Sequence, residues 1–226
     1  MTKERGFSDR VFILKVLCIY LFALCGGLGC TSFPLEKGAE LDKRWTCDKN
    51  SDEAMKRNDY VAGISLHERF LEREPQNALA LYHLGYAHGR TGNHLKEVLY
   101  YEKALALGFK RDHIFFNLGM AYGELDYTEK SIRAFKQAID MNPNSADNHF
   151  GFAIACQRSG NKKGAKKEFL TAIKIEPRHV EARLSLSKLY IDWGEMQKAT
   201  EQLRKILKID PTHERARESL ERIEGK

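Results

Sequence analysis

The sequence predicts an all-α fold, a solenoid of antiparallel helix pairs in which about five pairs are followed by one further helix. Three observations carry this reading. Pro143, Pro177 and Pro211 stand at one constant interval, and further steps back by the same interval reach Phe109 and then Pro75. Each proline closes a similar phrase, such as Ala138 to Pro143, Ala172 to Pro177 and Ile206 to Pro211. Within each interval, apolar residues recur twice at helical spacing around a short turn. Self-similarity at a fixed period of about 34 residues is the signature of stacked units.

The period begins after a distinct N-terminal stretch. Residues 1–15 are polar and basic, and Val16 to Cys25 is an unbroken apolar run. Gly26, Gly27, Leu28 and Gly29 lead to Cys30. A charged head, a short apolar segment and a small-residue exit form a secretory signal pattern. A transmembrane helix needs about 20 apolar residues. The stretch from Val11 to Gly29 approaches that length, interrupted by Lys15. Residues 1–29 therefore read as a signal peptide or as an uncleaved membrane anchor, and 30–43 as a tether.

The units follow at 44–77, 78–111, 112–145, 146–179 and 180–213, with a cap at 214–226. Unit 112–145 is the clearest. Phe115, Leu118, Gly119 and Tyr122 mark one amphipathic helix, Leu125 to Tyr127 turns the chain, and Ser131, Phe135 and Ala138 mark the buried stripe of a second. Pro143 stops it, because proline lacks the helical N–H. Unit 78–111 repeats the pattern with Leu81, Leu84 and Gly85, then Tyr101 and Ala104. Unit 180–213 does so with Leu186, Tyr190 and Gly194, then Ala199, Leu203 and Ile206. Gly85 and Gly119 fall inside helices, where glycine costs about 1 kcal/mol relative to alanine. Close helix approach is the compensating reason. The first half of unit 44–77, from Arg44 to Ala54, is polar and matches poorly. In the cap, Ala216, Leu220 and Ile223 share one helix face.

Composition and motifs exclude several classes. The net charge of +6 is spread along the chain. Lys162, Lys163, Lys166 and Lys167 read as one solvated helix face, and no nucleic acid partner is expected. Asp48, Asn50 and Asp52 start like a calcium loop, but Glu53 and Asp59 stand where Gly and Glu are needed. The eight histidines are scattered, without a zinc-hydrolase pair or flanking cysteine pairs. No phosphate loop and no nucleophile elbow appear. No catalytic residue, cofactor or metal is expected. Cys47 and Cys156 lie about three repeats apart, far beyond the roughly 7 Å a disulfide spans. Cys156 is expected in the core, and Cys47 is free to be exposed.

The repeating residues resemble the tetratricopeptide repeat, over about four-fifths of the chain. The resemblance implies helix pairs stacked into a right-handed superhelix, each unit touching its neighbours. In that family the second, fifth, ninth, twelfth and thirteenth places of each unit's first helix line the concave face. Carried onto this sequence they give Tyr82, Tyr86, Arg90, Phe116, Met120, Phe150, Ile154, Arg158 and Leu184 as the partner-binding residues, an exposed apolar stripe flanked by arginines. Such a stripe marks a partner surface. The clamp that some members use for a chaperone's terminal carboxylate is not reproduced: Tyr82, Tyr86 and Asp147 occupy its places and only Asn117 fits.

The residues ending at Cys30 resemble the lipobox of bacterial lipoproteins, although Gly27 stands where Leu is preferred. That resemblance implies an acylated Cys30, a periplasm-facing location in the bacterial envelope and, because Thr31 rather than Asp follows, the outer membrane before the inner. The expected function is a membrane-tethered, non-catalytic scaffold for a protein or peptide partner. The alternatives are an accessory subunit of an envelope enzyme or a self-associating, homo-oligomeric module.

Overall fold

The computed structural model describes residues 46–225. The expected Cys30, signal or anchor segment and tether lie outside them. Among the described residues there are helices and turns but no strands. The helices are α1 Lys49–Lys56, α2 Tyr60–Arg73, α3 Ala78–Arg90, α4 His94–Ala106, α5 Asp112–Glu124, α6 Thr128–Met141, α7 Ala146–Arg158, α8 Lys162–Ile175, α9 Val180–Asp192, α10 Met196–Ile209 and α11 Glu214–Glu224. None is long and apolar enough to cross a membrane.

The period becomes geometry at three places. First helices start at Ala78, Asp112, Ala146 and Val180, each one full period after the last. Asn58, Gly92, Asp126, Gly160 and Gly194 share one repeat position, and all have positive φ, from 59° to 82°. This left-handed residue reverses the chain between the two helices of a pair, so the position takes the residue types that tolerate it. Pro75, Pro143, Pro177 and Pro211 each follow shortly after the end of a second helix. Side chains cap most helix starts: Asn77, Asn93 and Asn161 accept from the backbone N–H three residues on, as do His179 and His213. Each closes one of the four N–H groups a helix start leaves open.

Every helix packs on its chain neighbours, and the first helices also meet across units, α3 on α5 and α5 on α7. Tyr101, Phe135, Phe169 and Leu203 recur at one repeat position and are all fully buried. Each contributes about 1.5–3 kcal/mol by leaving water. The expected close approaches are present: a Cβ on Gly85 would lie 2.7 Å from the Tyr101 ring, and one on Gly119 2.8 Å from the Phe135 ring. The unit joints carry a second repeat. His149, Arg183 and Arg217, again one period apart, each bond the carbonyl of the preceding proline, Pro143, Pro177 or Pro211.

The first pair departs from the expected unit. Its opening helix α1 has 8 residues where the first helices of the next four pairs have 13. It starts at Lys49 rather than near 44. Asp48, placed by the sequence at a calcium-like start, is its N-cap and accepts from Ser51 N–H at 3.3 Å. At the other end α11 closes on Gly225 in the left-handed conformation, φ 71°.

Candidate partner-binding groove

The first helices α3, α5, α7 and α9 carry every expected groove residue. The structure divides these residues into two groups.

The N-terminal group is engaged within the protein. The Tyr82 ring stacks on Phe109 and Tyr101, with centroids 4.9 and 5.6 Å away, and meets His113 edge-on at 5.0 Å. Its hydroxyl accepts from Asn117 Nδ2 at 3.4 Å. Burial pushes the Tyr82 phenol up to about 12. Tyr86 lies edge-on to Tyr60 at 6.0 Å, and Arg90 spreads over the same Tyr60 ring at 5.3 Å. Phe116 meets the Phe135 ring at 5.7 Å. These contacts correct the expected exposed stripe. Tyr82, Tyr86 and Phe116 are half-buried, because rings from neighbouring helices cover their faces. Of the expected apolar residues Met120 alone is largely open, at 43% exposure.

Arg158 is also spoken for. Its Nη1 donates to the Gly123 carbonyl, and Nη2 lies 3.8 Å from Glu124 Oε1. A cation against the last carbonyls of a helix is favoured by the helix dipole, so Arg158 fastens α7 to the C-terminal end of α5.

The C-terminal group opens. Phe150 and Ile154 of α7, Leu184 and Lys188 of α9, and Arg215 and Arg222 of α11 line one cleft of about 520 Å³. Phe150 is held from behind by Phe169 at 6.0 Å and His179 at 5.0 Å. The floor is apolar. The charged lining residues are Lys188, Arg215 and Arg222 against Glu181 alone. Sequence reasoning missed Arg215, Ser219 and Arg222 because it treated α11 as a cap. The signal was available: they stand one period after Glu181, Ser185 and Lys188, so α11 continues the register of the first helices.

A second grouping, also missed, lies at the first pair. Cys47 just before α1, Asp52 in α1, His67 in α2 and His83 in α3 offer donor atoms all within 4.8 Å of one another. Histidines scattered in the sequence thus converge, because α1, α2 and α3 pack in succession. His67 is fully buried. Burial lowers the His67 imidazole, and lowers that of His83 to about 4. Burial, with Asp52 and Asp48 nearby, pushes the Cys47 thiol up to about 12.

Family and structural comparisons follow this geometry. A tetratricopeptide-repeat profile matches residues 112–145 and 180–213, and a second profile of that name matches 49–108. The chain belongs to the tetratricopeptide repeat family. Members of this family generally mediate protein–protein interaction. Solved structures with the same fold include YrrB, described as a tetratricopeptide-repeat protein with an unusual peptide-binding site. It is 22% identical with a TM-score of 0.64, over 75% of this chain and 87% of that one. A tetratricopeptide repeat protein from Parabacteroides merdae is 21% identical with a TM-score of 0.67, over 79% and 72%. The Thermus thermophilus protein TTC0263 is 22% identical with a TM-score of 0.62, over 79% and 97%. At these identities the likeness is one of fold. No protein of curated function matches the sequence.

Proposed function

We propose that this tetratricopeptide repeat protein is a non-catalytic scaffold, tethered to a bacterial envelope membrane by its N-terminus, that holds a segment of a partner protein in the cleft between α7, α9 and α11. The carrying observation is the cleft itself: Phe150, Ile154 and Leu184 form an apolar floor under a rim with three cations and one anion. An apolar anchor seated on that floor and acidic residues beside it are the matching chemistry, since charge complementarity fixes register and speeds encounter. A peptide-binding site in the similarly folded YrrB supports the reading. The apolar run from Val16 to Cys25 and the glycine-led Cys30 support the tether.

A photo-crosslinking residue placed at Ser185, in the cleft, tests this in the native envelope. The expected result is a discrete protein adduct that disappears when Arg215 and Arg222 are both changed to Glu. The same crosslinker at Thr200, on α10 away from the cleft, is the control. An adduct from Thr200 and none from Ser185 overturns the assignment.

A further inference from the structure

We propose that Cys47, Asp52, His67 and His83 form a structural zinc site that fastens the short first helix to the solenoid. Two of the distances between donor atoms already have the size a tetrahedral site requires. Cys47 Sγ lies 3.5 Å from His83 Nδ1, and Asp52 Oδ1 lies 3.3 Å from the same nitrogen. With Zn–N, Zn–O and Zn–S bonds of about 2.1, 2.1 and 2.3 Å, the edges of a tetrahedron are about 3.4–3.6 Å. All four donors lie within 4.8 Å, so closing the set takes shifts of about 1 Å at side-chain ends.

His67 supplies the independent observation. Its Nδ1 lies 2.7 Å from the Gly63 carbonyl, which only accepts, so Nδ1 carries the proton. Nε2 is left as a bare lone pair, fully buried and without a hydrogen-bond partner. A ring nitrogen that bonds a backbone carbonyl while the other faces a ligand set is how metal-binding histidines are held. Asp52 Oδ1 is a second buried atom, met by His83 Nδ1 at 3.3 Å outside hydrogen-bond geometry. Orphaned buried polar atoms are rare, because each carries a desolvation penalty. Here two converge on one point.

The donor types select the metal. One thiolate, two imidazoles and one carboxylate suit zinc, whereas calcium and magnesium take oxygen ligands. Four protein ligands leave no open position, which is the mark of a structural site. On binding, the Cys47 S–H bond breaks, the proton goes to solvent and a Zn–S bond forms, with no change of oxidation state. The fold explains why a fastening belongs here. An isolated helix of 8 residues does not hold in water. The ligands come from α1 and the segment before it, from α2 and from α3, so the metal closes the end of the array whose opening helix is the short one.

The test uses the full-length protein in detergent under reducing conditions, stripped with a chelator and then titrated with Zn²⁺ or Co²⁺. Wild type is expected to retain about one zinc per chain, and cobalt to give a thiolate charge-transfer band with tetrahedral visible bands. Cys47→Ser and His83→Gln, checked for helicity by circular dichroism, are expected to lose the bound zinc. Their affinity should fall by at least about 100-fold. Cys47→Ser should also lose the charge-transfer band while Cys156 remains in place. Wild type without the band, or a Cys47→Ser protein that keeps it, overturns the site.

Discussion

The ring of Phe135 occupies the space that a side chain on Gly151 would need. Phe135 belongs to the second helix of one unit and Gly151 to the first helix of the next, so the contact sets how closely the two units stack. Phe135 is buried to 2% exposure, with Gly119 of its own unit on another side. Gly151→Ala is therefore expected to destabilise by about 1–3 kcal/mol, as overpacking does. Urea unfolding followed by circular dichroism measures it, and an unchanged midpoint would show that the joint can relax.

Tyr82 and Met120 were both expected in the groove, and the structure separates their roles. Tyr82→Ala removes a ring stacked on Phe109 and Tyr101. It should destabilise by roughly 2–3 kcal/mol, somewhat less than loss of a fully buried aromatic. Met120→Ala, at an exposed position, should stay within about 0.5 kcal/mol. Thermal melts of both variants give the comparison, and equal values would deny the division of the groove.

The joint at the proline carbonyl offers one motif at two depths. Buried Arg183 donates to Pro177 O at 2.7 Å and to Gln202 Oε1 at 2.8 Å. Exposed Arg217 makes the proline bond at 2.9 Å. Arg183→Met removes the bonds to Pro177 O and leaves the amide oxygen of buried Gln202 without that donor, and should cost about 1–3 kcal/mol. Arg217→Met leaves its carbonyl to water and should cost little. Denaturant midpoints for the pair decide it.

Acid should weaken the fold partly through His88. It is 4% exposed, its ring lies parallel to Tyr100 at 5.4 Å, and its Nε2 has no hydrogen-bond partner. Burial, then Lys96, lowers its imidazole below the ordinary value. As pH falls through the ordinary histidine range near 6.5, the unfolded chain takes up a proton that the folded chain refuses, so stability falls. Above about pH 7.5 both states are neutral and the effect vanishes. Glu97 acts in the opposite sense at lower pH, since burial raises its carboxyl. Melting temperatures at pH 7.5 and 5.5 should therefore converge more in His88→Gln than in wild type. An identical drop in both would remove His88 as a contributor.

The tether is tested at Cys30. Cys30→Ala should abolish labelling by a palmitate analogue and leave a heavier, uncleaved precursor. A single acyl chain binds membranes only marginally, at roughly 10⁴ M⁻¹, so the mature protein should carry more than one. A wild-type protein that keeps residues 1–29 identifies the segment as an uncleaved anchor instead.

The array was legible in the sequence because its determinants are local and periodic. Prolines at a constant step, Gly85 and Gly119 inside helices, and the Tyr101, Phe135 and Phe169 series each act within a unit or on its neighbour. The groove was only half legible. Register placed Tyr82, Tyr86 and Phe116 on the concave side. Whether they face solvent depends on the rings packed over them, such as Phe109 on Tyr82 and, from the preceding unit, Tyr60 on Tyr86. Arg90 and Arg158 looked available because their partners, the Tyr60 ring and the Gly123 carbonyl, belong to preceding units. The cluster at Cys47 was illegible for a related reason. Cys47, Asp52, His67 and His83 follow one another at unequal intervals along the chain. No spacing rule joins them, and only the packing of three helices does.

The outer wall of the cleft is α11, a first helix with no second helix behind it among the described residues. In a linear array each segment is held by its neighbours, and among the described residues α11 packs chiefly on α10, through Ala216, Leu220 and Ile223. Its amides should therefore exchange with solvent through local opening well before those of α5 or α7. A segment bridging Leu184 and Arg222 would clamp that terminal helix and slow its exchange. Occupancy of the cleft would then be readable, without knowing the partner, as deuterium protection confined to α11.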